Sequence, residues 1–154
     1  MAREAKDPEA DYRAALYVAK EGWTGIPANG FKAALVNTCR LIDDFPMTLA
    51  KRILYVRTQG FTENGIGLIK IEGKHYCWES KVRLNPGTAD IRFRPRYDNW
   101  GMTVEIEFLR NLISREMLCN LLELCGWAEG LCEHRPGSPV SNTGSFGRFE
   151  ICKE

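Results

Sequence analysis

The chain has 154 residues, of which 44% are apolar and 27% are charged, and its formal net charge is +1. This composition predicts one globular domain over residues 1–154 with a core of its own. The chain lacks a run of about 18 apolar residues, which argues against a membrane span. Residues 1–7 are polar and lack the apolar stretch of a secretory signal, so we expect a cytoplasmic protein.

The near-neutral total hides an uneven distribution of charge. Residues 51–96 carry ten Lys or Arg against four Asp or Glu. Residues 1–50 carry six against seven, and residues 97–154 carry five against nine. A basic middle between acidic ends predicts a polar partner that is met on one face.

The N-terminal part of the chain predicts two helices. Asp7 is a suitable cap for the first helix, and Gly22 is expected to end it. Residues 1–24 are therefore predicted to form an N-terminal helical extension. Residues 31–42 repeat apolar side chains at helical spacing and predict a core-facing helix, with Asn29 as a candidate cap.

The middle of the chain predicts strands. Residues 52–57 and 67–71 are short runs rich in branched and aromatic side chains, separated by a glycine-containing turn. Residues 75–83 follow as a less regular, basic stretch.

Residues 89–97 alternate apolar and basic side chains with a period of two. In an extended strand, Ile91 and Phe93 then face a core, because successive side chains point to opposite faces. The opposite face carries three arginines: Arg92, Arg94 and Arg96. Three guanidiniums on one sheet face beside aromatic residues predict contact with a nucleic-acid backbone.

A competing interpretation places acidic side chains opposite these arginines, which neutralises part of their charge. Residues 102–108 alternate in the same way, and residues 98–101 are a plausible turn of a hairpin. In that hairpin the outward arginines face the second run: Arg96 opposite Thr103, Arg94 opposite Glu105, and Arg92 opposite Glu107. Opposite charges in such positions contribute roughly 0.2–1 kcal/mol each. Under this alternative, Arg96 is the arginine that remains for a ligand.

The C-terminal third predicts one helix and one strand. Ser114 is a suitable cap for a helix whose apolar face runs to Cys125, and Gly126 ends it. A loop rich in glycine, proline and hydroxyl side chains then leads to a last strand over residues 146–152.

The six cysteines do not form a metal-binding pattern. The chain lacks a Cys-x-x-Cys pair, and the cluster of Cys125, Cys132 and His134 matches no zinc spacing. Cys119 and Cys125 fall in an apolar helical pattern, where buried thiols behave as small hydrophobic side chains. We therefore expect core thiols, with no metal and no cofactor.

From residue 30 onward the predicted order is helix, strands, antiparallel hairpin, helix and strand. This order predicts an α+β protein with a ferredoxin-like, or RRM-like, antiparallel sheet, helices on one face, and the first strand missing. A sheet of this kind with a basic face is a common nucleic-acid platform.

Several stretches resemble known proteins. Residues 25–35 (GIPANGFKAAL) are similar to the motif that leads into the first helix of RAMP proteins, the crRNA-binding backbone subunits of CRISPR effector complexes. Residues 90–97 (DIRFRPRY), Trp100 and residues 146–149 (FGRF) resemble phage and prophage proteins that look like shortened RAMP relatives. Together the resemblances cover roughly residues 7–152.

The resemblance implies a protein of the bacterial host cell that binds the backbone of single-stranded RNA or DNA. Copies are expected to assemble along the strand, as a homo-oligomer or as subunits of a CRISPR-like ribonucleoprotein complex. The resemblance carries this role to Asn29 and Lys32 in the first motif, and to Gly144, Gly147 and Arg148 near the C-terminus. As alternatives, Lys32 is an ordinary surface lysine and the two glycines shape a turn.

The N-terminus departs from the family pattern. The resembled proteins open with a strand before the first helix, whereas this chain opens with a polar helix. Either the chain begins late or another chain supplies the missing strand, and we expect the second, because an unpaired sheet edge can accept a strand.

Three classes of function follow. The first is a phage- or CRISPR-related single-strand binding module, and the second is a protein-interaction module, such as an anti-CRISPR inhibitor that mimics a backbone subunit. The third is an RNA-cleaving enzyme. His75 and His134 are the only histidines, and the chain lacks a phosphate-binding glycine loop or a nucleophile elbow, so we expect no catalytic residues and no enzyme.

Overall fold

The computed structural model describes residues 5–83 and 87–152, in which six consecutive strands stand between the third and fourth α-helices. The helices of this part are α1 (Pro8–Ala14), α2 (Ala28–Thr38), α3 (Met47–Ile53) and α4 (Arg115–Leu124), with a 3-10 turn at Cys39–Leu41 and a π-helical turn at Cys125–Glu129. The strands are β1 (Tyr17–Val18), β2 (Thr24–Pro27), β3 (Leu54–Val56), β4 (Gly60–Phe61), β5 (Gly67–Lys70), β6 (Glu72–Arg83), β7 (Ala89–Gly101) and β8 (Ile106–Phe108). The α+β class is confirmed, whereas the ferredoxin-like order is not.

The chain divides into two compact units, each assembled from two segments. Unit 1 comprises the described residues of Met1–Ile26 and Gln59–Thr103, and unit 2 comprises those of Pro27–Thr58 and Val104–Glu154. The expectation of a single domain over residues 1–154 stays a prediction.

Unit 1 contains a small sheet and a long ribbon. The sheet has the strand order β1-β2-β5-β4, and its residues Leu68 and Ile69 are fully buried. The ribbon is the antiparallel pair of β6 and β7, which runs from Glu72 opposite Gly101 to Arg83 opposite Ala89. Its length sets it apart from the other strand pairs of the described chain, and it provides an extended two-stranded surface.

Helix α1 packs against the ribbon. The Asp7 side chain accepts hydrogen bonds from the backbone N–H groups of Glu9 and Ala10, which confirms the predicted cap. The Tyr12 side chain is buried, and its hydroxyl is hydrogen-bonded to Nδ1 of His75 on β6. Burial raises the pKa of Tyr12, so the hydroxyl keeps its proton at neutral pH.

Unit 2 is built from α2, α3 and α4 with the antiparallel pair of β3 and β8. Its fully buried side chains include Leu35 of α2, Leu54 of β3 and Leu121 of α4. Ser114 caps α4 by accepting a hydrogen bond from the Met117 N–H, as the sequence predicts. Burial of these side chains is the main stabilising contribution in this unit.

The predicted hairpin of residues 91–108 is wrong. Strand β7 continues through residues 98–101 and pairs with β6, whereas β8 pairs with β3. The physical reason is length: β6 offers a partner of twelve residues, while β8 has only three. The sequence predicts residues 75–83 to be less regular. They instead form most of the strand that pairs with the arginine-containing residues 89–97.

Corrections also apply before α2. The first helix ends at Ala14 rather than near Gly22. Two strands, β1 and β2, stand before α2, so the prediction of a missing strand ahead of that helix is wrong. Asn29 does not cap α2, because extended β2 leads straight into the helix and Pro27 occupies the cap position.

Two further element boundaries differ from the sequence predictions. Residues 52–57 are only partly a strand, since α3 extends to Ile53. Residues 146–152 form no strand: backbone hydrogen bonds instead join Phe146, Gly147 and Phe149 to residues 126–134.

Candidate nucleic-acid interface

The three arginines of residues 89–97 share one face of the ribbon. Each lies opposite a residue of β6: Arg92 opposite Ser80, Arg94 opposite Trp78, and Arg96 opposite Tyr76. Directly opposed residues of an antiparallel pair point to the same side. We call the side formed by these six residues the arginine face. The sequence prediction that the three arginines point the same way is confirmed.

Aromatic rings lie among the guanidiniums on the arginine face. Arg96 stacks over the Trp78 ring with its guanidinium carbon 4.9 Å from the ring centroid. Tyr76 is 42% exposed, and Trp78 is partly exposed. The face therefore presents flat rings and fixed positive charges together.

Asp98 holds the end of this face. It accepts a hydrogen bond from the Tyr76 hydroxyl (2.9 Å) and another from Nε of Arg96 (2.8 Å). The Tyr76 hydrogen bond, followed by the bond and charge of Arg96, lowers the pKa of Asp98 against the opposing effect of desolvation. The carboxylate thus stays ionised at neutral pH and orients both side chains.

Near Tyr97, the other side of the ribbon carries aromatic residues that anchor it within unit 1, whereas Ile91 on the same side is 39% exposed and does not face a core as the sequence predicts. The His75 ring lies between Tyr12 and Tyr97, with centroid distances of 5.6 and 5.4 Å. The Tyr97 hydroxyl is 2.7 Å from the Thr24 hydroxyl on β2. These contacts fix which side of the ribbon carries the arginines.

The acidic residues expected opposite these arginines have another partner. Arg57, at the end of β3, contacts Glu105 at 3.3 Å and Glu107 at 2.8 Å. The hydrogen bond to Glu105 is the largest of the effects that raise the pKa of Arg57. The cross-strand neutralisation of Arg92 and Arg94 by these glutamates is therefore wrong.

The remaining predicted residues lie in unit 2. Asn29 is exposed on α2, and Lys32 lies with its Nζ 4.5 Å from the centroid of the Tyr55 ring on β3. Arg148 lies with its guanidinium carbon 4.0 Å from the centroid of the Trp127 ring. Lys32, Arg96 and Arg148 thus each contact an aromatic ring, a shared feature that the sequence did not reveal.

Gly144 and Gly147 are explained by close backbone packing. A Cβ atom at Gly144 would lie 2.3 Å from the carbonyl oxygen of Arg135, and one at Gly147 would lie 1.9 Å from that of Leu131. Gly147 also has a φ of +73°, which side-chain-bearing residues rarely adopt. These facts favour the alternative in which both glycines shape the chain.

The structure groups Arg92, Arg94 and Arg96 on unit 1 and places Asn29, Lys32, Gly144, Gly147 and Arg148 in unit 2. Sequence reasoning missed the aromatic partners, which are Tyr55, Tyr76, Trp78 and Trp127. The signal for two of them was present, because residues 76–82 place Tyr76 and Trp78 two apart beside basic residues. Tyr55 and Trp127 depend on long-range packing and leave no local signal.

Comparisons with protein-family models, curated proteins and solved structures find no match. Within the described part of the chain, no helix has the length and apolar content to cross a bilayer. The described residues also contain no group of three or more His, Cys, Asp or Glu side chains placed to hold a metal ion.

Proposed function

We propose that this protein binds single-stranded RNA or DNA along the arginine face of the β6–β7 ribbon. The observation that carries the proposal is the cross-strand alternation of Arg92, Arg94 and Arg96 with Tyr76 and Trp78. Proteins that bind single strands combine cations for the phosphates with aromatic rings on which bases stack. The face supplies both kinds of group on rigid strands.

The spacing of the arginines favours an extended strand. Residues two apart in an antiparallel strand are about 6.8 Å apart, since each residue advances about 3.4 Å. One strand of B-form DNA advances about 3.4 Å per phosphate. Successive arginines thus match successive phosphates only when the nucleic acid is stretched to about twice that rise. Stretching unstacks the bases and makes them available to the rings of Tyr76 and Trp78.

Further features of the proposal rest on the resemblance to RAMP proteins. They are a phage- or CRISPR-related role, a ferredoxin-like relationship, action in the bacterial cytoplasm, and assembly as a homo-oligomer or as a subunit of a ribonucleoprotein complex. The proposed activity is binding without catalysis. These features extend the argument from the arginine face and do not carry it.

Fluorescence anisotropy of labelled 30-nucleotide RNA and DNA, titrated at several salt concentrations, tests the proposal. The triple variant Arg92→Ala, Arg94→Ala, Arg96→Ala removes three phosphate contacts. For single strands each contact contributes about 0.7 to the salt slope, so the slope becomes less negative by about 2 and affinity at 0.1 M salt falls about a hundredfold. The charge-matched control is Lys51→Ala, Arg52→Ala, Arg110→Ala, which alters three exposed cations of unit 2.

The outcomes separate the function classes. Equal losses in the triple variant and its control would remove the arginine face from the proposal and leave only general charge attraction. Absence of binding by the wild-type protein at low salt would overturn the proposal and favour the alternative, a protein-interaction module such as an inhibitor that mimics a CRISPR backbone subunit. Trp78→Ala should weaken binding about five- to 150-fold without changing the salt slope, because stacking releases no counterions.

A further inference from the structure

Trp127 is the most exposed large aromatic side chain of the described residues, with 70% of its surface accessible. It belongs to the π-helical turn that follows α4. The guanidinium carbon of Arg148 lies 4.0 Å from the ring centroid, over one face of the indole. An indole this exposed still offers surface for stacking to a planar ligand.

The positions of Trp127 and Arg148 are fixed by their neighbours in sequence. The residue before Trp127 is Gly126, where an added Cβ would lie 1.9 Å from the Phe149 carbonyl oxygen. The residue before Arg148 is Gly147, where an added Cβ would lie 1.9 Å from the Leu131 carbonyl oxygen. The backbones next to Trp127 and Arg148 are therefore in close contact with other segments of the chain.

Hydrogen bonds hold this close approach. The Phe149 N–H donates to the Gly126 carbonyl at 3.1 Å, and the Leu131 N–H donates to the Gly147 carbonyl at 3.0 Å. Beneath them, Phe149 stacks on Phe31 of α2 at a centroid distance of 5.9 Å. The exposed indole and guanidinium are thus mounted on a hydrogen-bonded base that packs on the buried Phe31, which lowers the entropic cost of ordering them on a ligand.

We infer that Trp127 and Arg148 form a second nucleotide-binding site, located on unit 2, that takes one unpaired nucleobase and its phosphate. The base stacks on the indole, and the guanidinium binds the phosphate by charge-assisted hydrogen bonds. The chemical class of the ligand rests on the proposed function, but the site uses none of the residues of the arginine face.

The Lys32 and Tyr55 pair is the natural comparison within unit 2. Its cation is an ammonium, which lacks the planar donor fork of arginine, and its phenol ring offers a smaller stacking surface than an indole. Tyr55 is also less exposed, at 54%. The geometry therefore assigns the nucleotide to Trp127 rather than to Tyr55.

The test is a titration of ¹⁵N-labelled protein with the DNA hexamer dA6, followed through the four tryptophan indole N–H signals. Single Trp→Phe variants assign these signals to Trp23, Trp78, Trp100 and Trp127. We expect the Trp127 signal to shift saturably with dA6 and much less with an abasic hexamer of equal charge, because that strand has phosphates and no bases. Trp23, whose ring packs against Gly60, serves as the internal reference.

The readout separates the two sites. A shift of Trp127 without Trp78 would support the second site while contradicting the arginine face. A shift of Trp78 alone would overturn the second site and leave the proposed function standing, and a shift of neither would overturn both. A shift of Trp127 that dA6 and the abasic hexamer produce equally would replace the nucleotide site with a simple phosphate contact, which also overturns the inference.

Variants sharpen this result through the affinity for dA6, measured by fluorescence anisotropy of a labelled hexamer. In the triple Arg→Ala variant of the arginine face, Trp127→Ala should weaken dA6 binding about five- to 150-fold, whereas Trp127→Tyr should weaken it less, because a smaller ring remains for stacking. The matched control is Tyr17→Ala, which removes an exposed ring from unit 1 and should leave the affinity unchanged. Equal affinities of Trp127→Ala and its parent would count against stacking on the indole.

Discussion

The ribbon of unit 1 and the helices of unit 2 both place a guanidinium over an indole, but they do so by different means. On the ribbon, Arg96 and Trp78 belong to paired strands, and arginines recur at every second residue from Arg92 to Arg96. In unit 2, Arg148 and Trp127 meet because two glycines let their segments touch. A strand pair thus presents similar side chains at repeated positions along a line, whereas the contact between two glycine-containing segments holds a single pair of side chains in place.

The two regions also differ in what stabilises them. The far end of the ribbon carries exposed residues on both strands, such as Glu79, Lys81 and Ile91, so its order depends on the backbone ladder and on cross-strand pairs. Unit 2 instead surrounds fully buried side chains such as Leu35 and Leu121. The exposed side chains at the far end of the ribbon can consequently change with little effect on folding, while the π-helical turn that carries Trp127 is coupled to a core.

Thiol reactivity gives the largest expected contrast between these regions. Cys77 is exposed on the ribbon, whereas Cys125 is fully buried in the π-helical turn. Burial raises the pKa of Cys125 to about 11. At pH 8 only about one Cys125 in a thousand is then a thiolate, the form that reacts. An ordinary thiol is about one-quarter thiolate at this pH, so we expect iodoacetamide to alkylate Cys77 more than a hundredfold faster, measured by peptide mass spectrometry.

The pH dependence and a denatured control check the cause. Because the pKa of Cys125 is raised, any native-state labelling of this thiol should increase with pH up to about 11. In denaturant, Cys77 and Cys125 should react at similar rates. Similar rates in the native protein would contradict the difference in burial between the ribbon and unit 2.

The close backbone approach at Gly126 predicts the next largest effect. Gly126→Ala forces a methyl group to within 1.9 Å of the Phe149 carbonyl oxygen, so the two segments must separate. Overpacking of this kind costs about 1–3 kcal/mol in the free energy of unfolding. Urea denaturation measures the loss, and the Trp127 indole signal should move in the same variant without any ligand.

Gly30 supplies the matched control for this change. It lies inside α2, and an added Cβ would meet nothing within 4 Å. Gly30→Ala should therefore stabilise the protein by about 0.5–1 kcal/mol, since alanine loses less backbone entropy in a helix. Stabilisation by both substitutions would mean that the segments of Gly126 and Phe149 do not touch.

The sequence predicted features that local chemistry decides. The caps Asp7 and Ser114 are correct because a cap needs only a side chain and the next few backbone N–H groups. The common direction of Arg92, Arg94 and Arg96 is correct because alternation is a property of any extended strand.

The partner of that strand was beyond local reasoning. Either the basic residues 75–83 or the glutamate-containing residues 102–108 could have paired with β7. The choice between them depends on strand length and on which residues pack behind each strand. The prediction of Asn29 as a cap is wrong for a similar reason. Strand β2 leads directly into α2, whose first helical residue is Ala28, one position before Asn29. The rings of Tyr55 and Trp127 became part of the candidate sites only through contacts distant in sequence.

Ion pairs give the smallest and most specific contrast. Asp98→Asn removes a carboxylate from Arg96 on the ribbon, and Glu107→Gln removes one from Arg57 in unit 2. If the arginine face binds phosphates, Asp98→Asn removes a competing negative charge and should make the salt slope more negative by up to about 0.7. Glu107→Gln should leave the slope unchanged in the same anisotropy titrations. Equal changes in both variants would mean that net charge alone governs binding.

The pH dependence of stability separates a local effect of Asp98 from a general one. Because the folded pKa of Asp98 is lowered, its hydrogen bonds to Tyr76 and Arg96 stabilise the fold above the ordinary carboxyl pKa and are lost as pH falls through the folded value. The unfolding midpoints of wild type and Asp98→Asn should thus differ from pH 5 to 8 and converge below about pH 4. A constant difference at every pH would assign the effect of the substitution to packing. In that case, the carboxylate's hold on Arg96 would not explain a steeper salt slope.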